Sequence, residues 1–157
     1  MAYRIFMSHS GDDAEWVKWL ANHAANIGIE PYLYQHDQQA GRYISDKVQA
    51  AIINSSAVVV LLTVNSQYSA YVQQEIGFAE GKSKLIIPLV QPGIDVRVLA
   101  MLTGREYISF DFHRPQAALA TFLNYLRDLK NKEEANQQMA LFSFATLLIV
   151  ALASNSK

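Results

Sequence analysis

A chain of 157 residues is long enough for one domain of ordinary size with its own core. Its formal net charge of −1 leaves no basic excess, which argues against a nucleic-acid surface. With no cysteine it holds no disulfide framework, thiol nucleophile or thiolate metal site.

In chain order, residues 3–8 form a short β-type run, and the N-terminus shows no signal-peptide pattern, so a cytoplasmic location is expected. His9-Ser-Gly-Asp-Asp13 is turn chemistry, with Asp12 or Asp13 placed to cap a helix. Trp16, Leu20, Ala24 and Ile27 recur at helical spacing, and Gly28 ends that helix. Residues 29–34 read as a second strand, and Pro31 near its start suits an edge. A polar loop follows over 35–42, then Ile44, Val48, Ala51 and Ile52 make a second helical face. The β-branched run 57–63 suits a strand buried on both faces of a parallel sheet.

Residues 66–81 predict the helix around which the chain is organised. Its core stripe is Val72, Ile76 and Ala79, and Glu75 stands beside that stripe between Tyr71 and Phe78. Residues 85–90 form a fourth strand, with Pro88 hinting at an edge or a strand end. Residues 91–105 are irregular, with a helical turn expected around 96–102, and 107–110 give a short fifth strand. A last helix over 116–130 turns Leu119, Phe122, Leu123 and Leu126 inward. Strand and helix alternate throughout, which implies βαβ units and a parallel sheet with helices on both faces. Ligands of such folds bind beyond the carboxyl ends of the strands, where 8–12, 35–42 and 63–71 leave the sheet.

Four segments carry a family resemblance. Arg4-Ile-Phe-Met-Ser-His-Ser-Gly-Asp12, Asp37-Gln-Gln-Ala-Gly-Arg-Tyr-Ile44, the passage 51–65 and Ser69-Ala-Tyr-Val-Gln-Gln-Glu75 occur in order. Together they resemble the TIR (Toll/interleukin-1 receptor) domain family in its prokaryotic form, over about residues 3–130. The resemblance implies an α/β fold with a flavodoxin-like five-stranded parallel sheet. Some TIR domains only assemble with other TIR domains, and others cleave NAD+ at the nicotinamide–ribose bond.

In the enzymatic class the glutamate at the position of Glu75 is catalytic. NAD+ is then a substrate, and no cofactor is implied. One carboxylate suffices chemically, because breaking the N-glycosidic bond builds positive charge on the ribose. Nicotinamide leaves neutral from a cationic pyridinium, so no general acid is required. Tyr71, where many relatives carry Trp, would border the ring by stacking. Ser8, His9, Ser10 and Gly11 would line the same rim, offering hydroxyls and N–H groups to ribose or phosphate oxygens. Tyr34 would wall the adenine or nicotinamide side. Gly41 and Arg42 lie in the loop that moves on assembly in the family, and Arg42 either contacts the pyrophosphate or is solvated.

The expected organisation is a TIR domain over 1–132, then a linker and an apolar C-terminal helix over 133–157. Residues 130–138 read as a polar connection. Residues 139–153 are apolar apart from Ser143 and Thr146. As a helix that stretch spans about 22 Å, short of the roughly 30 Å hydrocarbon core. Two placements stay open, insertion in a membrane or packing against protein, on the domain or between subunits. The implied activity is that of an NAD+ glycohydrolase or cyclase, acting as a homo-oligomer in antiviral (phage) defence. The alternatives are a non-catalytic TIR scaffold and a nucleoside deoxyribosyltransferase-like enzyme. No GxxxxGK[ST] or GxGxxG run supports nucleotide hydrolysis or hydride transfer. The four histidines show no metal-ligand spacing.

Overall fold

The structure, a computed structural model, describes residues 2–34, 45–95, 97 and 100–154, with only the backbone of Met101. Five strands form one sheet, β1 (Tyr3–Ser8), β2 (Ile29–Leu33), β3 (Ala57–Leu62), β4 (Leu85–Val90) and β5 (Ile108–Ser109). All paired strands are parallel, in the order β2-β1-β3-β4-β5. The helices are α1 (Ala14–Ala25), α2 (Asp46–Ile53), α3 (Ala70–Gly81) and α4 (Pro115–Ser154). Parallel neighbours need crossovers; α1, α2 and α3 supply the first three, and between β4 and β5 the described residues include only a 3-10 turn, Ala100–Leu102.

The β-branched run of β3 lies at the centre of the sheet with all six residues buried, as its composition predicts. Side-chain alternation divides the core into two halves. Tyr3, Ile5 and Met7 of β1 and Ala57, Val59 and Leu61 of β3 pack with α1 and α4. Phe6, Val58, Val60 and Leu62 pack with α2 and α3 on the other face. Ser8 continues the Phe6 row, so it points toward α3, and this register places the site.

Pro31 lies on the edge strand β2, as expected. Pro88 lies on β4, an internal strand, but β5 meets only Leu89 and Val90 there. Pro88 therefore stands on a stretch of β4 with one strand neighbour, which is what the proline signalled.

Three local expectations change. α3 begins at Ala70 rather than at 66, because Ser69 is its N-cap and accepts from the N–H of Val72 at 3.4 Å. Asp13 stands at the N-cap position of α1 without bonding the helix N–H groups. The polar stretch 130–138 is helical and continuous with what precedes and follows it, so α4 is one helix of 40 residues. Lys, Glu, Ala and Gln dominate that stretch and are strong helix formers, so a polar run here continues the helix.

Candidate active site

The C-terminal ends of β1 and β3 lie side by side, and the chain leaving each turns at once into polar residues. On the β1 side these are Ser8, His9 and Ser10, all buried, followed by Gly11 and Asp12 on the surface. On the β3 side they are Thr63, Asn65 and Ser66, leading through Tyr68 to the start of α3.

Asp13 joins the two turns. Its Oδ2 accepts from the hydroxyls of Ser10 (2.8 Å) and Thr63 (2.7 Å), and its Oδ1 accepts from the side-chain amide of Asn65 (3.0 Å). Thr63 and Ser66 close the β3 turn. The Ser66 hydroxyl accepts from the N–H of Thr63 at 2.7 Å and donates to the carbonyl of Leu61 at 2.8 Å. A buried carboxylate with this many donors is well satisfied. Helix spacing alone offers Asp12 or Asp13 as a cap and does not reach this role of Asp13. The only signal was the run of short polar residues at two strand ends, which local spacing does not connect.

Glu75 lies within the buried stripe of α3. Val72, Glu75, Ile76 and Ala79 follow i, i+3, i+4, i+7, and all four are buried, Glu75 to 1% exposure. The expectation of a carboxylate at the edge of that face is corrected accordingly. Its Oε2 accepts from the Ser8 hydroxyl at 2.5 Å, 67 residues away in sequence. Loss of hydration raises the Glu75 pKa to about 8, an effect the Ser8 hydrogen bond partly offsets. The group is therefore held largely as the neutral acid at pH 7.

The remaining predicted residues divide between a cleft and the core. A cleft of about 260 Å³ is lined by Ser10, Gly11, Asp12, Asn65, Tyr68, Ser69 and Tyr71. It brings Ser10, Gly11 and Tyr71 together on the rim. Ser8, His9 and Glu75 are buried and do not line it. His9 is turned inward, with Nδ1 3.1 Å from the carbonyl oxygen of Met7, and burial lowers its pKa. Its ring is thus neutral at pH 7, and it is not a cationic phosphate ligand in this geometry. Tyr34 packs half-buried against the core on the α2–α3 face, away from the cleft wall. Phe78 packs on that same core, with the Lys82 ammonium 5.5 Å from its ring centroid. Gly41 and Arg42 lie outside the described residues, as does Ile44. Among the described residues no group of three or more His, Cys, Asp or Glu is arranged to hold a metal ion.

The arrangement is a polar cleft at the sheet's carboxyl edge, with a buried, protonatable carboxyl one helical turn beyond Tyr71 of its wall and bonded to Ser8, two residues before Ser10. Comparisons with known proteins bear on the family and the fold. The TIR domain family matches residues 5–123. The probable 3′ cyclic ADP-D-ribose synthase ThsB′ of Bacillus cereus (strain MSX-D12) is 28% identical over 130 residues. That match covers 78% of this chain and 64% of the relative, so the chain spans less than two thirds of that protein's length.

Among solved structures, the TIR domain of the Toll-related receptor TRR-2 from Hydra magnipapillata has a TM-score of 0.60 at 19% identity. The match covers 80% of this chain and 96% of that one. The Clostridium botulinum CMP N-glycosidase BcmB has a TM-score of 0.54 at 18% identity, covering 78% of this chain and 98% of that one. At such identities these two likenesses speak for the fold alone. The family match spans most of the chain and coincides with the sheet and the rim described above, and this chain belongs to the TIR domain family.

Proposed function

We propose that the protein is an enzyme that cleaves NAD+ at the nicotinamide–ribose bond, with Glu75 as its catalytic carboxylate. The observation that carries this reading is the placement of Glu75. It is buried in the core stripe of α3 at a cost in hydration, one helical turn beyond Tyr71 of the cleft wall, and bonded to Ser8. A buried acid with a strongly raised pKa beside a cleft is a common mark of a functional group.

Cleavage is heterolytic. The C1′–N bond breaks and its electron pair leaves with nicotinamide, which departs neutral. The ribose keeps a positive charge that ionised Glu75 stabilises. Binding of the cationic pyridinium favours loss of the Glu75 proton, because an adjacent positive charge lowers a carboxyl pKa. Water attack then gives ADP-ribose and a proton. Attack by a hydroxyl or base of the same molecule gives a cyclic product, and the name of the Bacillus relative supports that outcome. Tyr71 in the cleft wall stacks on a ring of the substrate, and Ser10 and the Gly11 backbone face its hydroxyl or phosphate oxygens. In this reading the molecule acts as a homo-oligomer, and its role is in antiviral defence.

A second reading is a non-catalytic TIR module that acts by assembly. Glu75 itself favours it, since a residue 1% exposed does not reach a ligand without movement of the rim.

Incubation with NAD+, with CMP and with deoxynucleosides, across a range of protein concentrations, separates these readings. Free nicotinamide from NAD+ is expected, rising more steeply than protein concentration. Base release from CMP or deoxynucleosides instead moves the chain to another N-glycosidase class, and no release at any concentration supports the assembly module.

A further inference from the structure

α4 carries two different surfaces. Its first half is one-sided, with Ala118, Leu119, Phe122 and Leu126 buried and Asn124, Arg127 and Asp128 exposed. From Gln138 onward every described residue is exposed. Leu147, Leu148, Ile149 and Val150 are consecutive and so circle a full helical turn, at 68, 54, 67 and 61% exposure. Phe142 at 78% and Phe144 at 69% extend the apolar surface toward the domain. No charged side chain occurs from Ala135 to Ser156.

A surface apolar on all sides needs an apolar surrounding on all sides, either a bundle that encloses the helix or a bilayer, and a single partner surface covers only one stripe. We propose that the uncharged 135–154 segment of α4 crosses a lipid bilayer, with the apolar residues 139–153 in its interior, the TIR domain held rigidly beneath it and the cleft facing away from the membrane.

The length fits, with Asn136, Gln137 and Gln138 at the domain end of the span, at the level of the interface. Residues 135–154 span about 30 Å as a helix, the thickness of the hydrocarbon core. The hydroxyls of Thr146 and Ser154 donate to the carbonyls of Phe142 and Ala151, each at 2.9 Å, so they are satisfied within the helix. The orientation follows from where α4 leaves the domain. Lys130 donates to the carbonyl of Ile27 at 3.3 Å, and Glu133 accepts from the Ser56 hydroxyl at 3.2 Å. Ile27 and Ser56 precede β2 and β3, so α4 exits at the amino edge of the sheet. Ser8, Asn65 and Tyr68 follow the opposite ends of β1 and β3. One strand of six residues separates the two edges, about 20 Å. The helix is unbroken through 130–138, so no flexible linker loosens this geometry. This orientation is fixed by α4 and the sheet and is independent of the role of Glu75.

The cysteine-free chain allows single-site labelling of the full-length protein. Gln137→Cys, Leu147→Cys and Tyr68→Cys are each labelled with an environment-sensitive fluorophore and mixed with phosphatidylcholine–phosphatidylglycerol vesicles carrying bromine at defined acyl depths. A several-fold gain in emission at Leu147 is expected, with at least twofold quenching by deep bromines. Gln137 should be quenched by shallow bromines, and Tyr68 by none. No response of Leu147 to vesicles, as in a helix bundle between copies, overturns the proposal. Equal shallow quenching at 137 and 147 makes the helix lie along the surface and overturns spanning. Quenching at Tyr68 overturns the orientation.

Discussion

Asp13 and Glu75 are both buried carboxylates at the carboxyl edge of the sheet, yet they are held in different ways. Asp13 takes three side-chain donors from two turns and ties those turns together. Glu75 sits among Val72, Ile76 and Ala79, takes the Ser8 hydroxyl, and is held near neutrality by lost hydration. The first arrangement uses charge to fix a loop pair. The second holds a carboxyl group with its pKa raised by lost hydration. Burial alone therefore does not mark a functional acid, and the chemistry of its surroundings decides.

The comparison breaks most visibly at Asp13. Asp13→Ala leaves the Ser10, Thr63 and Asn65 donors without their acceptor and is expected to cost about 3 kcal/mol. Calorimetry should show the melting temperature falling by roughly 10 °C. A variant as stable as the parent would remove Asp13 from the account of how the rim is built.

Glu75 should reveal itself through pH. Its native pKa of about 8 lies above the ordinary value of 4.5. Between those values the native protein keeps a proton that the unfolded chain has lost. The stability linked to this group is thus full below pH 4.5 and is lost as pH rises to about 8, on the order of 1 kcal/mol per unit. Denaturant titrations of the parent and of Glu75→Gln across that window should diverge in slope, with Glu75→Gln the flatter. Parallel curves would mean that Glu75 has an ordinary pKa.

Ser8→Ala removes a hydrogen bond that favours the ionised form, so the Glu75 pKa rises further. Nicotinamide release at pH 7 is expected to fall about tenfold, with the inflection of the kcat/KM profile moving to higher pH. An unmoved inflection would make Ser8 a packing residue only. The smallest effect is expected at Tyr71, where Tyr71→Ala should raise KM about fivefold and leave kcat nearly unchanged. A fall in kcat with KM constant would contradict a stacking role.

Much of this architecture is legible in the chain. β1 and β4 follow their apolar runs residue for residue, and the β-branched composition of β3 places it at the centre. Pro31 marks the edge strand. The stripe of α3 is also readable, and i, i+3, i+4, i+7 spacing already includes Glu75, although a charged residue invites placement at the edge. Its partner Ser8 lies 67 positions earlier, and periodicity carries no information about such a pair. Asp13 is hidden for the same reason, since its partners Thr63 and Asn65 lie 50 and 52 residues away. The continuity of α4 through 130–138 is a different case. A polar surface there suggests a connection, but helix propensity decides once both ends are already helical.

The central claim is that Glu75 performs the cleavage, and the most direct measurement is nicotinamide release from NAD+ by the parent protein and by Glu75→Gln. The two are compared at equal concentration, with melting curves recorded alongside. The account predicts release by the parent and a rate about 10²- to 10³-fold lower for Glu75→Gln, with the fold intact. Equal rates from the two proteins would contradict it.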